Sequence, residues 1–164
     1  MIQRIQSLFL FGVALCMALM LYFPLWEKDN DAHTQKKALD VYHLHTYSLE
    51  SGEPGNWREE NAQPVYYIAV TASLAALLAL YSIFIFRNRK LQMKIGAVNA
   101  LVIMITVVVA VYLIYSGEKE LGQGNKGTFY PGFYLPLGAL IFNSLANRFI
   151  RKDDKLVRSV DRIR

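Results

Sequence analysis

The sequence predicts an all-α membrane protein in which four transmembrane helices are joined by polar loops. The chain has 164 residues, 54% of them hydrophobic, and the apolar residues are sorted into long blocks. Three blocks run about twenty residues without a charge, enough to cross a hydrocarbon layer of about 30 Å, and a fourth comes close. Backbone groups in lipid must be hydrogen-bonded internally, so helices are the expected form of these blocks. The short alternating segments of outer-membrane barrels are absent.

The chain is expected to form a single four-helix membrane domain over residues 1–164. Its predicted spans cover residues 5–25, 65–86, 95–115 and 130–147. The first block is long for a signal peptide and no small-residue cleavage site follows it, so an uncleaved helix is expected. The second has a face of alanine and serine that suits close helix packing. In the fourth, Pro131 suits a helix start, whereas Pro136 falls inside the helix and is expected to kink it.

Two polar segments, residues 27–63 and 116–128, are expected to form loops on the outer side of the membrane. The first contains all three histidines and a turn cluster at 51–56. Within it, residues 39–49 are rich in aromatic and β-favouring side chains, a composition compatible with a short β-hairpin. The tail, residues 148–164, is polar and basic.

The charge distribution predicts that both termini are cytoplasmic. With the N-terminus inside, twelve of the eighteen Lys and Arg residues lie on the cytoplasmic side, together with three of the thirteen Asp and Glu residues. The positive-inside rule counts Lys and Arg near the ends of the spans, so this excess supports both termini inside.

The tail has the periodicity of a basic amphipathic helix. Leu156, Val160 and Ile163 fall on one stripe at helical spacing, and charged residues occupy the opposite side. Such a helix is expected to contact anionic lipid headgroups or to dock on a protein partner. The residues expected to make these contacts are Arg151, Lys152, Lys155, Leu156, Arg158, Val160, Arg162 and Ile163. No nucleic-acid recognition motif accompanies the tail, so no nucleic-acid partner is expected.

Both ends of the chain carry recognisable motifs. The chain opens with Met-Ile-Gln-Arg-Ile-Gln-Ser at residues 1–7 and closes with the basic segment 145–164. In these motifs, and in its apolar blocks, long first outer loop and basic tail, it resembles a bacterial family of small membrane proteins, domain of unknown function 4293. The resemblance covers the whole chain. It implies a location in the inner membrane of Gram-negative bacteria, and it implies no activity, cofactor or catalytic residue.

Polar residues inside the predicted spans are few. The first three spans contain no ionisable residue, which argues against a proton- or ion-coupled carrier. Asn99, Asn143, Ser144 and Asn147 remain, and Asn143 and Asn147 are four residues apart on one helix face. These asparagines are expected either to hydrogen-bond between helices or, with Pro136, to line a ligand cavity.

The first outer loop holds residues with metal-binding chemistry. His43 and His45 point to one side if their segment is a strand, a spacing that suits two metal ligands. His33, near Asp29 and Asp31, offers a third. Nothing in the sequence fixes these groups relative to each other, so a surface loop that contains histidines is the expected interpretation. No metal, cofactor or catalytic residue is therefore predicted.

These features favour a function without catalysis. The one cysteine, Cys16, excludes an intramolecular disulfide and a thiol oxidoreductase that needs a cysteine pair. No glycine-rich loop follows a strand, so a phosphate-cradling loop is not expected. The spans offer no candidate catalytic residues, the outer loop is rich in aromatic residues, and the tail is amphipathic. These features favour an accessory or scaffold subunit that contacts membrane or envelope proteins. The alternative is a membrane protein that binds a lipid or small molecule in a cavity near the kinked fourth helix.

Overall fold

Both helices and strands contribute to the fold. The computed structural model describes residues 2–30, 32–49, 56–86, 88–122 and 126–161, without the side chains of residues 2–4 and 158–161. In chain order the elements are α1 (Ile2–Met20), β1 (Trp26–Asp29), β2 (Gln35–Leu39), β3 (His43–Leu49), β4 (Trp57–Pro64), α2 (Tyr67–Phe84), α3 (Arg89–Leu121), β5 (Thr128–Phe129) and α4 (Pro131–Asp161).

The predicted all-α fold is wrong, because the polar segment before α2 is a β-sheet. Among the described residues the sheet has five antiparallel strands in the order β4-β3-β2-β1-β5. The first outer loop therefore contains a four-stranded meander rather than one short hairpin. β5, from the second predicted loop, pairs with β1 through Phe129 and Trp26. β1 is mostly charged (Glu27, Lys28 and Asp29), so it lacks the apolar alternation from which a strand is predicted.

The predicted count of four transmembrane helices is also wrong. Of the described helices, α2 and α3 are long and apolar enough to cross a membrane, judged by length and composition. The apolar part of α1, Ile5–Met20, is shorter than a typical span. In α4 an apolar first half is followed by Asn143, Asn147 and Arg148 and then by a charged second half. Polar residues this close together lower the hydropathy of α4 below that of a span.

The four described helices pack side by side. α1 contacts α2 and α4, and α3 contacts the same two helices. The packing face of α2 is made of small residues, since Ala69, Ala72, Ala75 and Ala79 are buried. On the opposite side of α2, Leu77 is 62% exposed. Small side chains let the helix backbones approach closely and leave the larger apolar side chains outside.

The sheet packs on the C-terminal end of α3. Trp26 of β1 is fully buried and lies against Gly117 of α3, where an added Cβ would come within 3.2 Å of the indole ring. On the other side a Cβ at Gly127 would overlap the same ring. Lys37 of β2 forms an ion pair with Glu120 of α3. The apolar core therefore continues from between the helices into the sheet.

The basic tail is not a separate helix. α4 runs without interruption from Pro131, its predicted start, through Pro136 to Asp161. Helical periodicity is therefore kept across residue 147, where the fourth span was predicted to end. The basic side chains of the tail stay in register with the asparagines that precede them.

Candidate functional site

A groove of about 820 Å³ lies between the first turns of α3 and the second half of α4. Its lining residues are Met93, Ser144, Asn147, Arg148, Arg151, Lys152, Asp154 and Lys155. The α4 members recur every three or four residues, which places them along one side of the helix. Met93 of α3 forms the facing wall.

Two contacts fix the start of α3 beside α4. The Asn88 side chain caps α3, because its Oδ1 accepts a hydrogen bond from the Leu91 amide at 3.1 Å. Arg89 Nε then lies 3.0 Å from Asp153 Oδ2 of α4, and only 14% of the Asp153 side chain is exposed. Asp153 is therefore paired with Arg89 and does not line the groove. The acidic side chain in the lining is that of Asp154.

The groove is strongly cationic. Arg148, Arg151, Lys152 and Lys155 line it, and within the described ranges none of these four side chains forms an ion pair. Arginine presents a planar fork of donors that matches two oxygens of a phosphate or carboxylate, and lysine adds a point charge. The arrangement can therefore bind an anion.

The inner wall of the groove is a close approach between α3 and α4 at Gly96. Asn143 Nδ2 donates a hydrogen bond to the Gly96 carbonyl oxygen at 2.8 Å, and Asn143 is 1% exposed. One turn further, Asn147 lies so close to Gly96 that a Cβ there would overlap its amide group. Asn147 also lines the groove, so this packing contact and the cationic cavity share a residue.

Several buried polar atoms near this contact have no hydrogen-bond partner in the described part of the chain. They are Asn143 Oδ1, Asn147 Oδ1, both amide atoms of Asn99, Gln92 Oε1 and Ser82 Oγ. Gln92 Nε2 does donate to the Ser82 carbonyl oxygen at 3.0 Å. Buried amide oxygens and nitrogens without partners are costly. They give the interior of this end of the helices a polar character.

The residues predicted from the sequence fall into three groups. Asn143 and Asn147 meet α3 at Gly96, and Asn99 lies on the same buried face of α3, three residues beyond Gly96. Pro136 is buried in α4 nearly two turns before Asn143, away from the residues that line the groove.

The predicted tail contacts are only partly described. Arg151, Lys152 and Lys155 line the groove, and Leu156 is 47% exposed beside it. Arg158 and Val160 belong to α4, but their side chains lie outside the described residues, as do Arg162 and Ile163 entirely.

Sequence reasoning missed the other half of the groove lining. Ser144 precedes the tail and Arg148 is its first residue, and the three- and four-residue spacing from Ser144 to Lys155 predicts that they share a face of α4. Met93 carried no signal, because its place depends on how α3 packs against α4.

A second cluster of polar side chains lies on the sheet. Strand β3 puts His43 and His45 on one face, with ring centroids 5.5 Å apart. Asp40, in the turn before β3, places Oδ2 3.2 Å from His45 Nε2. Its other oxygen, Oδ1, accepts hydrogen bonds from the backbone amides of Tyr42 at 2.7 Å and His43 at 2.6 Å. Glu59 of β4 is the neighbour on the other side, with Oε1 2.8 Å from His45 Nδ1.

The carboxylates control the charge of His45. Partial burial by itself would lower the pKa of the imidazole, but hydrogen bonds to Glu59 and Asp40 outweigh it and raise the pKa above its usual value. His33, the predicted third member, lies elsewhere: it is 3.7 Å from Asp29 in the β1–β2 turn, near the far end of β3. Asp31 lies outside the described residues.

Comparison with protein families identifies the chain. The sequence profile described as "Domain of unknown function (DUF4293)" matches residues 2–163. The chain belongs to this family. The match confirms the resemblance seen in the end motifs and extends through the sheet and the groove alike. A search of curated proteins finds no match.

Proposed function

We propose that the protein lies in the bacterial inner membrane and binds the phosphate-bearing headgroup of an anionic lipid in the groove between α3 and α4. The observation that carries this proposal is a line of four basic side chains, Arg148, Arg151, Lys152 and Lys155, which form no ion pair with any described residue and lie at one end of an apolar helical assembly. Among the described lining residues, the Ser144 hydroxyl donates to the Leu140 carbonyl oxygen at 2.8 Å instead of to a base, which favours binding over catalysis.

The membrane location is supported by α2, α3 and the surface around them. Large apolar side chains are exposed along both helices, among them Leu77 at 62% and Val108 at 60%. Exposed apolar surface of this extent is unusual on a soluble monomer and normal against lipid. Leu8 of α1 and Ile141 of α4, also exposed, continue the same surface.

The length of α3 supports a groove at one membrane boundary and a sheet at the other. Its 33 residues extend about 50 Å, whereas the hydrocarbon layer measures about 30 Å. Both ends of α3 therefore project beyond the hydrocarbon. Met93, at one end, lines the groove, and Gly117, near the other, packs against Trp26 of the sheet.

Charge supports a cytoplasmic groove. The basic residues of the α2–α3 connection and of α4 lie at the same end, because Arg89 pairs with Asp153. The first turns of α1 join that end, since Gln6 Nε2 donates to the Phe149 carbonyl oxygen at 3.3 Å and Phe9 stacks on Phe149. Under the positive-inside rule this end faces the cytoplasm, with both termini, and the sheet faces the periplasm.

A lipid fits the groove better than a freely soluble anion. Ile141, 62% exposed, lies one turn before Ser144 on α4, on the side of the basic residues where the apolar part of the helix begins, and offers apolar contacts beside the charged ones. A cationic surface with neighbouring exposed apolar side chains matches a headgroup with its acyl chains. Phosphate oxygens would meet the arginines while the chains continue along the apolar helices.

Native mass spectrometry of the full chain, extracted in mild detergent, tests the proposal. The variant Arg148→Gln/Arg151→Gln removes two charges from the groove, and Lys90→Gln/Lys94→Gln removes two exposed charges from the same end outside it. We expect the first pair to lower retention of anionic phospholipid at least about tenfold, at about 1 kcal/mol for each cation. The control pair should retain it. If both double variants lost anionic phospholipid equally, retention would depend on the general surface charge of this end and not on the groove.

A second function, as an accessory subunit that contacts an envelope protein, is favoured by strand β4. It is the edge of the sheet, pairs only with β3 among the described strands, and is exposed from Arg58 to Gln63. An unpaired edge can accept a strand from another protein. A photo-crosslinking residue at Glu60 should yield a discrete protein adduct in intact cells, while one at Tyr134 of α4 should not. If the two positions gave the same adducts, or if Glu60 gave none, the proposed contact at the edge of the sheet would lose its support.

A further inference from the structure

We propose that Asp40, His43 and His45 bind one divalent transition-metal ion of the zinc class on the sheet side of the protein. This site lies apart from the groove and does not depend on lipid binding there. One imidazole nitrogen from each histidine and one Asp40 carboxylate oxygen all lie within 4.8 Å of one another. Two imidazoles and a carboxylate form a ligand set that suits Zn²⁺, with a fourth position left for water.

One pair of ligand atoms already has nearly the spacing of an occupied site. Ligand atoms at about 2.0–2.2 Å from a tetrahedral zinc ion are separated by roughly 3.3–3.6 Å. Asp40 Oδ2 and His45 Nε2 are already 3.2 Å apart. The three ligand atoms lie within 4.8 Å of one another, so binding requires a small shift of the His43 ring, whose Nε2 lies 3.1 Å from the Tyr66 hydroxyl.

Backbone structure organises all three ligands in advance. Asp40 is fixed by the two amide hydrogen bonds that its Oδ1 accepts at the β2–β3 turn, which leaves Oδ2 to face His45. The two-residue spacing of the histidines in β3 directs both rings to the same face of the sheet. Less conformational freedom is therefore lost on binding than in an unstructured loop.

Glu59 occupies the position of an outer-shell partner. Its Oε1 lies 2.8 Å from His45 Nδ1, so the Nδ1–H group can donate to it while Nε2 is directed at Asp40. A carboxylate that orients the distal nitrogen of a metal-binding histidine is a recurring feature of zinc sites. An ion pair between His45 and the two carboxylates needs no contribution from His43, so the His43→Gln variant distinguishes it from a metal site.

The ligand chemistry selects the class of metal. Imidazole nitrogens favour Zn²⁺, Cu²⁺ and Ni²⁺, whereas Ca²⁺ and Mg²⁺ prefer sets made only of oxygens. The site also adjoins the start of α2: His43 Nε2 lies 3.1 Å from the Tyr66 hydroxyl, and the Val65 amide donates to the Tyr42 carbonyl oxygen at 2.7 Å. A bound ion would therefore tie the β2–β3 turn to the sheet beside the entry into α2.

Isothermal titration of the untagged, chelator-treated full chain with Zn²⁺ tests the site. Variants Asp40→Asn and His43→Gln each remove one ligand with little change in size, and His33→Gln removes the histidine of the same sheet that lies outside the cluster. We expect one equivalent of Zn²⁺ to bind the native protein and the His33 variant. Affinity should fall at least about tenfold in the other two.

A stability readout separates lost binding from lost folding. Zn²⁺ should raise the melting temperature of the native protein and of His33→Gln but not of His43→Gln, whose circular dichroism should match the native spectrum. Cobalt substitution should give the visible absorption of four-coordinate Co²⁺, weakened by the same two variants. The proposal is overturned if Zn²⁺ binds the native protein no more tightly than His43→Gln, or if His33→Gln weakens binding equally.

Discussion

The two ends of the molecule differ in how their charged residues are paired, although Arg89 and Asp153 form an ion pair beside the groove. At the sheet end charges meet across strands and helices, as in Lys36 with Glu27 at 2.5 Å and Lys37 with Glu120. At the groove end Arg148 and Arg151, with the neighbouring lysines, make no ion pair among the described residues. Charges that the fold neutralises stabilise the fold, whereas charges that it leaves unpaired on a concave surface are available to a ligand.

The largest effect is expected at the junction between these ends. Replacing Trp26, fully buried between the sheet and α3, with alanine should lower the free energy of unfolding by about 3–5 kcal/mol, because it leaves a cavity beside Gly117. Trp57→Ala on the edge strand β4 is the matched control and should cost about 1 kcal/mol or less, since that side chain is only partly buried. Thermal unfolding in detergent measures both. Equal losses would mean that the sheet does not depend on its packing against α3.

A smaller effect is expected where the groove meets the helix core. Gly96→Leu should cost about 1–3 kcal/mol, because its side chain would displace the Asn147 amide and push α3 away from α4. Retention of anionic lipid should fall with it. Gly138→Ala provides the control, because a Cβ at that position comes no closer than 4.0 Å to Cys16 Sγ. Native mass spectrometry measures the retained lipid and thermal unfolding measures the stability. Unchanged lipid retention in Gly96→Leu would contradict the account.

The smallest effect concerns the charge pairing of the sheet end. Glu120→Gln should cost about 1 kcal/mol, since it leaves Lys37, only 9% exposed, without its partner, while Glu120 itself is 62% exposed and screened by water. Glu118→Gln is the control: it also removes one negative charge near the end of α3, but it breaks no ion pair among the described residues. It should change stability by less than about 0.5 kcal/mol. If the two variants are indistinguishable at low and high salt, the Lys37 pair contributes nothing.

Helical features were accessible from the sequence because their signals are local. The apolar blocks marked α2 and α3, Pro131 marked the start of α4, and the spacing of Asn143 and Asn147 indicated their shared face. Periodicity is a property of neighbouring residues, so it survives without knowledge of the fold. The number of spans did not follow, because α1 ends at Met20 before the predicted limit of residue 25 and polar residues closely follow the apolar half of α4.

The sheet was largely inaccessible because its strands are defined by their partners. β5 has two residues and exists only through pairing with β1 at Trp26. The sequence predicts that His43 and His45 share a face and offers His33 as a third member of the cluster. In the structure the third member is Asp40, which lies in the turn before β3. Contacts between residues distant in sequence, such as Met93 with the α4 face, carry no local signal either.

Photo-labelling with an anionic phospholipid that carries its reactive group near the phosphate is the most direct test of the lipid-binding groove. We expect the label on the face of α4 between Ser144 and Lys155 and around Met93, displaced by unlabelled anionic lipid and not by phosphatidylcholine or inorganic phosphate. Displacement by inorganic phosphate alone would indicate a soluble anion instead of a lipid. Label spread evenly over the exposed faces of α2 and α3, with equal displacement by phosphatidylcholine, would contradict the account.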